Sequence, residues 1–238
     1  MLTIAQVYPE LLGTYGDGGN GLVLAERARR RDVEVRLVTS RFGEPLVDAD
    51  IYLLGGGEDG PQRLAVSLLR EASFRARIDD GATVFAVCAG LQLLGTSFSV
   101  EGDDEFAGLG VVDAVTRRGA RRAVGDFVTV VGDTIMVGFE NHGGMTNRGD
   151  GVAPFGAVQR GRGNGDGHDG FRANRVWATY AHGPVLALNP WLADDLLCEL
   201  LGWKSVEPLA SVADRLYNER LRVLTRRGNR SPHRPGRG

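Results

Sequence analysis

The stretch ATVFAVCAGLQLLG, residues 82–95, decides the fold class of this chain. Its first six residues are apolar or β-branched without alternating polar ones, which is typical of a strand buried on both faces of a parallel sheet. A helical pattern follows directly, so the chain changes from strand to helix at Cys88. Small residues stand two positions before and after this cysteine, as in a nucleophile elbow. Such a tight turn lifts the side chain above the strand ends.

The remainder of the first half alternates between apolar runs and helical patterns. We predict strands at 2–8, 33–39 and 50–55, and helices at 19–31 and 61–78. Strands that alternate with helices predict an α/β fold, in which helices flank a mostly parallel, flavodoxin-like sheet.

The second half is richer in strands. Gly132-Asp133 separates two apolar runs and predicts a hairpin turn. The predicted elements are strands at 126–131, 134–139 and 176–181, a polar glycine-rich loop at 159–171, and helices at 188–202 and 206–227. We see no linker that would divide residues 1–202, and we predict one domain there, followed by a C-terminal helix at 203–225.

The charge is unevenly distributed. The net charge is −2, but residues 226–238 carry five arginines and no acid, which leaves −7 for the rest of the chain. An acidic body argues against nucleic acid as a partner, because phosphate binding needs a basic surface. We predict that the basic tail is disordered, since it has no apolar residue to bury. A weak contact of the tail with a membrane or an acidic partner is the alternative.

The composition also indicates the compartment. Apolar runs stay well short of the roughly 20 residues that cross a bilayer, and the N-terminus lacks the pattern of a signal peptide. Two cysteines, Cys88 and Cys198, do not make a disulfide framework, so we expect a cytoplasmic protein. Cys198 falls in the apolar pattern of a closing helix and is predicted to be core. We find no cluster of metal ligands and expect neither metal nor cofactor.

Two further segments are predicted to converge on the sheet edge at Cys88. His182 follows the strand at 176–181 and is a candidate base, although a lone histidine there is more often structural. The run LLGGGEDG, residues 53–60, leaves a strand as three glycines, which let backbone amides approach a ligand. An amide of Gly56 or Gly57 is predicted to form an oxyanion hole with that of Ala89. A plain flexible turn is the alternative for the glycines.

At this point the motifs support a resemblance. VFAVCAGLQLLG resembles the nucleophile segment of class I glutamine amidotransferases, where C-G-x-Q-x-L is usual. Four further motifs narrow the resemblance to the cobyric-acid-synthase-like branch, and within it to the glutaminase subunits of lipid II isoglutaminyl synthases. They are GTYGDGGN (13–20), LLGGGEDGPQ (53–62), GFENHGG (138–144) and TYAHGP (179–184).

The resemblance implies a glutaminase with Cys88 as nucleophile and His182 as base. Such subunits hydrolyse L-glutamine and pass ammonia to a Mur-ligase-like, ATP-dependent partner, which amidates the α-carboxyl of D-glutamate in the lipid II stem peptide. This chain has no G-x-x-x-x-G-K-[ST] phosphate loop, so the ligase would be a separate protein in a heterodimer. The acceptor, bound to lipid, would be reached through that partner.

The chain departs from the wider class at two positions. Many class I members have Glu two residues after the histidine, whereas Pro184 stands here, so the acid that orients His182 must come from elsewhere. Asp17 is our candidate, with Glu140 behind it, although Asp17 could equally be a turn-forming residue among glycines. Ala89 replaces the usual glycine after the nucleophile, which keeps the amide donor.

The resemblance also implies substrate-binding residues. An arginine just before a Gly-Asp strand start holds the glutamine carboxylate in such enzymes, and Arg122 matches it. Arg117, Arg118 and Arg121 are competitors, and a solvated loop is the alternative. Gln92, one turn after Cys88, is a further candidate to contact the substrate, and a polar helix face is the alternative for it. Asn141 and His142 would line the pocket or the ammonia exit.

Three other functions remain open from the sequence. The same chemistry could serve another acceptor, such as a cobalamin-precursor acid, although such enzymes usually carry the synthetase in the same chain. A non-catalytic binding module on this fold is the second, and a free-standing cysteine hydrolase is the third. The last of these predicts full activity without a partner.

Overall fold

The computed structural model describes residues 1–99 and 104–228. The elements up to the elbow are β1 (Leu2–Val7), α1 (Gly19–Arg29), β2 (Val35–Ser40), β3 (Ile51–Leu54), α2 (Asp59–Glu71), α3 (Phe74–Asp79), β4 (Thr83–Val87) and α4 (Ala89–Leu94). The later elements are β5 (Ser97–Ser99), β6 (Glu105–Ala107), β7 (Ala114–Val131), β8 (Thr134–Arg148), β9 (Gly156–Arg160), β10 (His168–Asp169), β11 (Phe171–Ala173), β12 (Val176–Thr179), α5 (Val185–Leu188), α6 (Pro190–Leu201) and α7 (Val212–Gly228).

The first sheet has six strands in the order β11-β12-β4-β3-β1-β2. Every pair in it is parallel except β11 with β12. All residues of β3, β4 and β12 are buried, which confirms the burial predicted for the strand at 82–87. The predicted α/β fold is confirmed. Because the carboxyl ends of parallel strands share one edge, the segments after β1, β3, β4 and β12 meet there.

The second sheet is built around a long hairpin of β7 and β8. The two strands pair antiparallel from Ala114↔Arg148 to Val131↔Thr134, and Gly132 in the turn has a φ of 57°. The turn predicted at Gly132-Asp133 is therefore confirmed. The strands run much further than the predicted 126–131 and 134–139, because pairing with β8 continues on both sides of an exposed arginine-rich segment that gives no apolar signal. The arginine-rich segment at 116–126 is thus strand and not loop.

The prediction of one helix over 61–78 is wrong. It is divided at Ser73, whose φ of 53° is left-handed and ends α2. The break allows Phe74 to turn inward, where it is fully buried with its ring centroid 5.1 Å from that of Tyr52. Helical spacing alone does not reveal such a break, because the apolar pattern continues through it.

The helix predicted from residue 206 begins only at Val212. Ser211 precedes it and exchanges hydrogen bonds with Asp214, which is the arrangement of a helix N-cap. The predicted C-terminal helix at 203–225 is therefore shorter at its start. It continues through residues 226–228, the first three of the predicted disordered tail, and the rest of that tail lies outside the described residues.

Two smaller corrections concern the second half. The predicted loop at 159–171 contains β10 and the first residue of β11, which extend the two sheets. Cys198 is half-buried on α6 and is not part of the core. Within the ranges described, no helix is both long and apolar enough to cross a membrane.

Candidate active site

Cys88 occupies the turn between β4 and α4. Its backbone has φ 50° and ψ −105°, a conformation that side chains adopt only under strain. Its N–H donates to the carbonyl of Thr179 on the neighbouring strand at 2.9 Å. The elbow needs small flanks, since a Cβ at Gly90 would lie 2.6 Å from the Leu54 Cβ atom. The structure thus shows the strained strand-to-helix turn that the sequence predicted.

His182 lies beyond the end of β12 and is fully buried. Its Nδ1 is 3.3 Å from Asp17 Oδ2, and its backbone N–H donates to the Phe139 carbonyl at 2.8 Å. The ring contacts those of Phe139 and Tyr15, with centroid distances of 5.5 and 4.5 Å. Nε2 has no hydrogen-bond partner among the described residues. One ring nitrogen is therefore bonded to an acid and the other is left for chemistry.

The surroundings of His182 favour its protonated form. Burial acts to lower the pKa of His182, but the hydrogen bond with Asp17 and the electrostatic interactions with Cys88 and Asp17 outweigh burial and raise it to about 9. Cys88 is close enough to interact electrostatically with the ring, yet the contact does not meet hydrogen-bond geometry in this conformation. The three side chains form a buried Asp–His–Cys row.

Asp17 brings the glycine run into this row. The same Oδ2 atom that faces His182 also accepts the Gly56 N–H at 2.8 Å, so this amide is unavailable to an oxyanion. The expectation for Gly56 as an oxyanion donor is therefore corrected. Position 56 requires glycine for a steric reason, because a Cβ there would lie 2.5 Å from the His182 ring. Gly57 and Ala89 offer N–H groups that find no acceptor within the described residues.

A cavity of about 440 Å³ opens in front of Cys88. Its wall includes the candidates Gly57, Cys88, Gln92, Arg122, Asn141 and His142, together with Arg118 and Arg121. Arg117 is not in this wall. The structure thus brings most of the predicted substrate-binding residues together around one space, which is large enough for an amino acid.

Arg122 is oriented by two neighbours. Its Nε donates to Asn141 Oδ1 at 2.6 Å, and its Nη2 lies 3.4 Å from the hydroxyl of Tyr15. The guanidinium is solvent-exposed and has no carboxylate partner among the described residues. It retains N–H groups that can bind a carboxylate bidentately. Within the described range, neither Arg118 nor Arg121 has a guanidinium that donates to a neighbouring side chain as Arg122 does.

Gln92 and His142 form the deeper wall. Gln92 Oε1 accepts from Gln62 Nε2 at 2.9 Å, and Gln92 Nε2 donates to the Tyr180 hydroxyl at 3.4 Å. The His142 ring stacks on that of Tyr180 at a centroid distance of 3.8 Å. Both side chains are buried, so they shape the cavity by position more than by free hydrogen-bonding groups.

Glu140 does not orient His182. Its carboxylate accepts from His142 Nε2 at 3.2 Å and from the N–H groups of Arg162 and Gly163. Burial acts to raise the pKa of Glu140, but these hydrogen bonds hold it below its usual range. Of the two acids proposed from sequence to orient the base, only Asp17 reaches it.

The sequence reasoning missed Tyr15, Phe139 and Tyr180. Tyr15 and Phe139 both pack against the His182 ring, and Tyr180 contacts Gln92 and His142. A signal for Tyr15 was present, because a large aromatic side chain stands among glycines in GTYGDGGN. No group of three or more candidate metal ligands occurs in the described part of the chain.

Comparison with known protein families agrees with this geometry. Residues 3–190 match the CobB/CobQ-like glutamine amidotransferase domain. The chain is 35% identical over 212 residues to the Staphylococcus aureus lipid II isoglutaminyl synthase (glutamine-hydrolyzing) subunit GatD, covering 84% of this chain and 86% of that protein. It is 34% identical to the subunit of that name from Streptococcus pneumoniae, covering 84% and 80%.

More distant similarities point to the same fold. A cobyric acid synthase of Pelotomaculum thermopropionicum is 31% identical, but the match covers 71% of this chain and only 35% of that protein. Among solved structures, a glutamine amidotransferase superposes with a TM-score of 0.53 at 24% identity, covering 83% of this chain and 98% of the other. The PurLQS structure from Thermotoga maritima superposes with a TM-score of 0.59 at 12% identity, covering 85% and 99%.

Proposed function

The chain belongs to the family of CobB/CobQ-like glutamine amidotransferases and is a glutamine-hydrolysing enzyme, and we propose that it is the glutaminase subunit of a lipid II isoglutaminyl synthase. In this role it releases ammonia from L-glutamine for a Mur-ligase-like, ATP-dependent partner. The partner activates the α-carboxyl of D-glutamate in the stem peptide of lipid II, and ammonia converts it to the amide. Lipid II as the acceptor and the existence of a second subunit are inferred from the names of the two relatives, whereas the Mur-ligase-like partner and the D-glutamate carboxyl are what the resemblance of the motifs implies.

One observation carries the glutaminase chemistry in particular: the buried row of Asp17, His182 and Cys88 beside an arginine-bearing cavity. Asp17 holds Nδ1 of His182, which leaves Nε2 for proton transfer to and from the reacting groups. An acid, a histidine and a nucleophile in this order are what acyl transfer through a covalent intermediate needs.

The first half of the reaction forms a thioester. The α-carboxylate of glutamine binds Arg122, and the side-chain amide then reaches Cys88. The sulfur attacks the amide carbon, and the developing oxyanion accepts hydrogen bonds from the N–H groups of Ala89 and Gly57. His182 gives its proton to the amide nitrogen as the carbon–nitrogen bond breaks, and ammonia leaves.

The second half regenerates the enzyme. His182, now neutral, takes a proton from water, and the resulting hydroxide attacks the thioester carbon. The same two amides hold the second oxyanion. The carbon–sulfur bond then breaks, which releases glutamate and restores the pair of Cys88 and protonated His182.

The proposal is tested by replacing Cys88 in the complex purified from cells that co-express the partner. We expect Cys88→Ala to lose at least about 10³-fold of the glutamine-dependent amidation of lipid II, because no second thiol lines the cavity in the described part of the chain. Ammonium chloride should still support amidation, since the ligase does not use the sulfur. Cys198→Ala is the matched control, as this half-buried thiol lies on α6 outside the cavity wall.

Glutamine-dependent amidation by Cys88→Ala would overturn the assignment of the nucleophile. If the wild-type complex amidated a cobalamin-precursor acid and not lipid II, the glutaminase chemistry would stand but the acceptor would be wrong. Brisk glutamine hydrolysis by the lone chain, with no partner recovered, would favour a free-standing hydrolase.

A further inference from the structure

Tyr15 connects two parts of the site that the proposed mechanism treats separately. It lies in the loop between β1 and α1, two residues before Asp17, and is half-buried. Its hydroxyl oxygen accepts from Asn141 Nδ2 at 2.9 Å and lies 3.4 Å from Arg122 Nη2. Arg122 and Asn141 also bind each other, so the hydroxyl completes a three-membered cluster. This cluster holds the guanidinium at the edge of the cavity.

The ring of the same side chain contacts the base. Its centroid lies 4.5 Å from that of His182, with the planes tilted by 59°. Phe139 stacks on the imidazole at 5.5 Å and also makes an edge contact with Tyr15 at 6.1 Å, so the three rings contact one another. The two aromatic rings therefore confine the imidazole from adjacent sides. This confinement restricts rotation that would take Nδ1 away from Asp17 and Nε2 away from Cys88.

We propose that Tyr15 is a positioning residue with two separable actions, in which the hydroxyl orients Arg122 for the carboxylate of the substrate and the ring orients His182 for proton transfer. This inference rests on the proposed glutamine site. In this proposal one side chain aligns the α-carboxylate of the substrate with Cys88 and His182, which act on its side-chain amide. A correctly bound carboxylate then coincides with a correctly aimed base, which is the geometry that acyl transfer requires.

The two actions are separated by two substitutions. Tyr15→Phe removes the hydroxyl and keeps the ring, so we expect Arg122 and Asn141 to lose their shared acceptor while His182 stays confined. Tyr15→Leu removes both. Tyr217→Phe is the matched control, because it likewise removes a hydroxyl that makes a hydrogen bond. The Tyr217 hydroxyl donates to the Ile135 carbonyl at 2.8 Å and lies outside the cavity wall.

The experiment measures irreversible alkylation of Cys88 in the full chain by two electrophiles, read on the Cys88 peptide by mass spectrometry. The first is 6-diazo-5-oxo-L-norleucine, which has the α-carboxylate of glutamine, and the second is iodoacetamide, which has none. For Tyr15→Phe we expect the half-saturating concentration of the first reagent to rise about 3- to 10-fold, because such a change corresponds to the loss of one or two hydrogen bonds. Its iodoacetamide rate and pH profile should match wild type.

For Tyr15→Leu we expect both reagents to react more slowly, and the pH profile of iodoacetamide alkylation to shift, because the imidazole is no longer confined. Tyr217→Phe should behave as wild type with both. Thermal unfolding of each variant is measured in parallel. If Tyr15→Phe retained wild-type saturation, or if it lost iodoacetamide reactivity as fully as Tyr15→Leu, the two-action assignment would be overturned. A wild-type chain that reacts with iodoacetamide but never saturates with the glutamine-like reagent would instead contradict the proposed glutamine site.

Discussion

At the scale of single residues, Asp17 serves two structural purposes at once. Its Oδ2 atom faces Nδ1 of His182 and also accepts the N–H of Gly56. The acid that orients the base therefore also fixes the glycine turn beside the nucleophile. Pro184, two residues after the histidine, leaves no acid at that position, and the loop after β1 supplies one from the other side of β3 and β4.

Asp17 makes stability depend on pH in a predictable direction. The pKa of His182 is raised from 6.5 to about 9 in the folded state, so the protonated ring stabilises the fold. This stabilisation is fully present below pH 6.5 and is lost as the pH rises through about 9. We expect the free energy of unfolding of the wild-type chain to fall across this range, by about 1 kcal/mol or more.

The comparison is with Asp17→Asn, which removes the negative charge that supports the imidazolium. Urea unfolding at pH 6, 7.5 and 9 measures both proteins. The variant should show a clearly shallower decline between pH 6.5 and 9. Equal slopes for the two proteins would mean that Asp17 does not hold the proton on His182.

At the scale of elements, β8 delivers side chains to two separate places by strand alternation. Phe139 and Asn141 contact His182 and Arg122, whereas the buried His142 stacks on Tyr180 and the buried Glu140 bonds to His142. This alternation explains why Glu140 cannot reach His182 although it stands next to Phe139 in sequence. A period of two residues separates the neighbours of the base from the supports of the cavity wall.

The break between α2 and α3 has a measurable cost. Ser73 adopts a left-handed conformation that disfavours side chains by about 1 kcal/mol and that glycine adopts freely. We expect Ser73→Gly to raise the free energy of unfolding by about 0.5 kcal/mol, net of the greater chain entropy of glycine. Chemical denaturation of the full chain measures this change.

Ser67→Gly is the matched control for that substitution. Ser67 is exposed within α2, where glycine is a poor helix former, so this change should lower stability by about 0.5 kcal/mol. Opposite signs for the same substitution at positions six residues apart are the expected result. A loss of stability at both positions would mean that the left-handed turn carries no strain at Ser73.

At the scale of the whole molecule, a buried ion pair joins helices that are distant in sequence. Arg27 on α1 is 4% exposed and binds Asp194 on α6 through two bonds of 2.7 and 2.6 Å. Asp214 on α7 lies 3.5 Å from the same guanidinium. Burial acts to lower the pKa of Arg27, but these two carboxylates raise it, so the side chain stays charged. Three helices thus share one buried cation.

Removing that cation should be costly, because it disconnects three helices and leaves the half-buried Asp194 with Arg31 as its remaining ionic partner within the described residues. We expect Arg27→Met to lower the free energy of unfolding by about 3 kcal/mol. Arg30→Met is the control, since Arg30 pairs with Glu26 on an exposed helix surface and its loss should cost less than about 0.5 kcal/mol. Equal effects from the two variants would contradict a structural role for the buried pair.

Local patterns in the sequence determined the parallel sheet, the elbow at Cys88, the turn at Gly132-Asp133 and the placing of His182 at the sheet edge. Each of these depends on side-chain size, polarity or spacing over a few consecutive residues, which sequence records directly. The resemblance to amidotransferases then implied which of the edge residues carry chemistry. The same patterns misjudged α2 and α3, because an apolar period continues across a break in the backbone.

Only the tertiary structure decided which side chains meet. It showed that Asp17 and not Glu140 reaches His182, that Gly56 donates to Asp17, and that Tyr15 contacts both Arg122 and the base. These contacts join residues that are 39 to 167 positions apart in sequence. Pairing of distant strands and the angle at which each loop leaves the sheet set such contacts, and neither property is present in any short stretch of sequence.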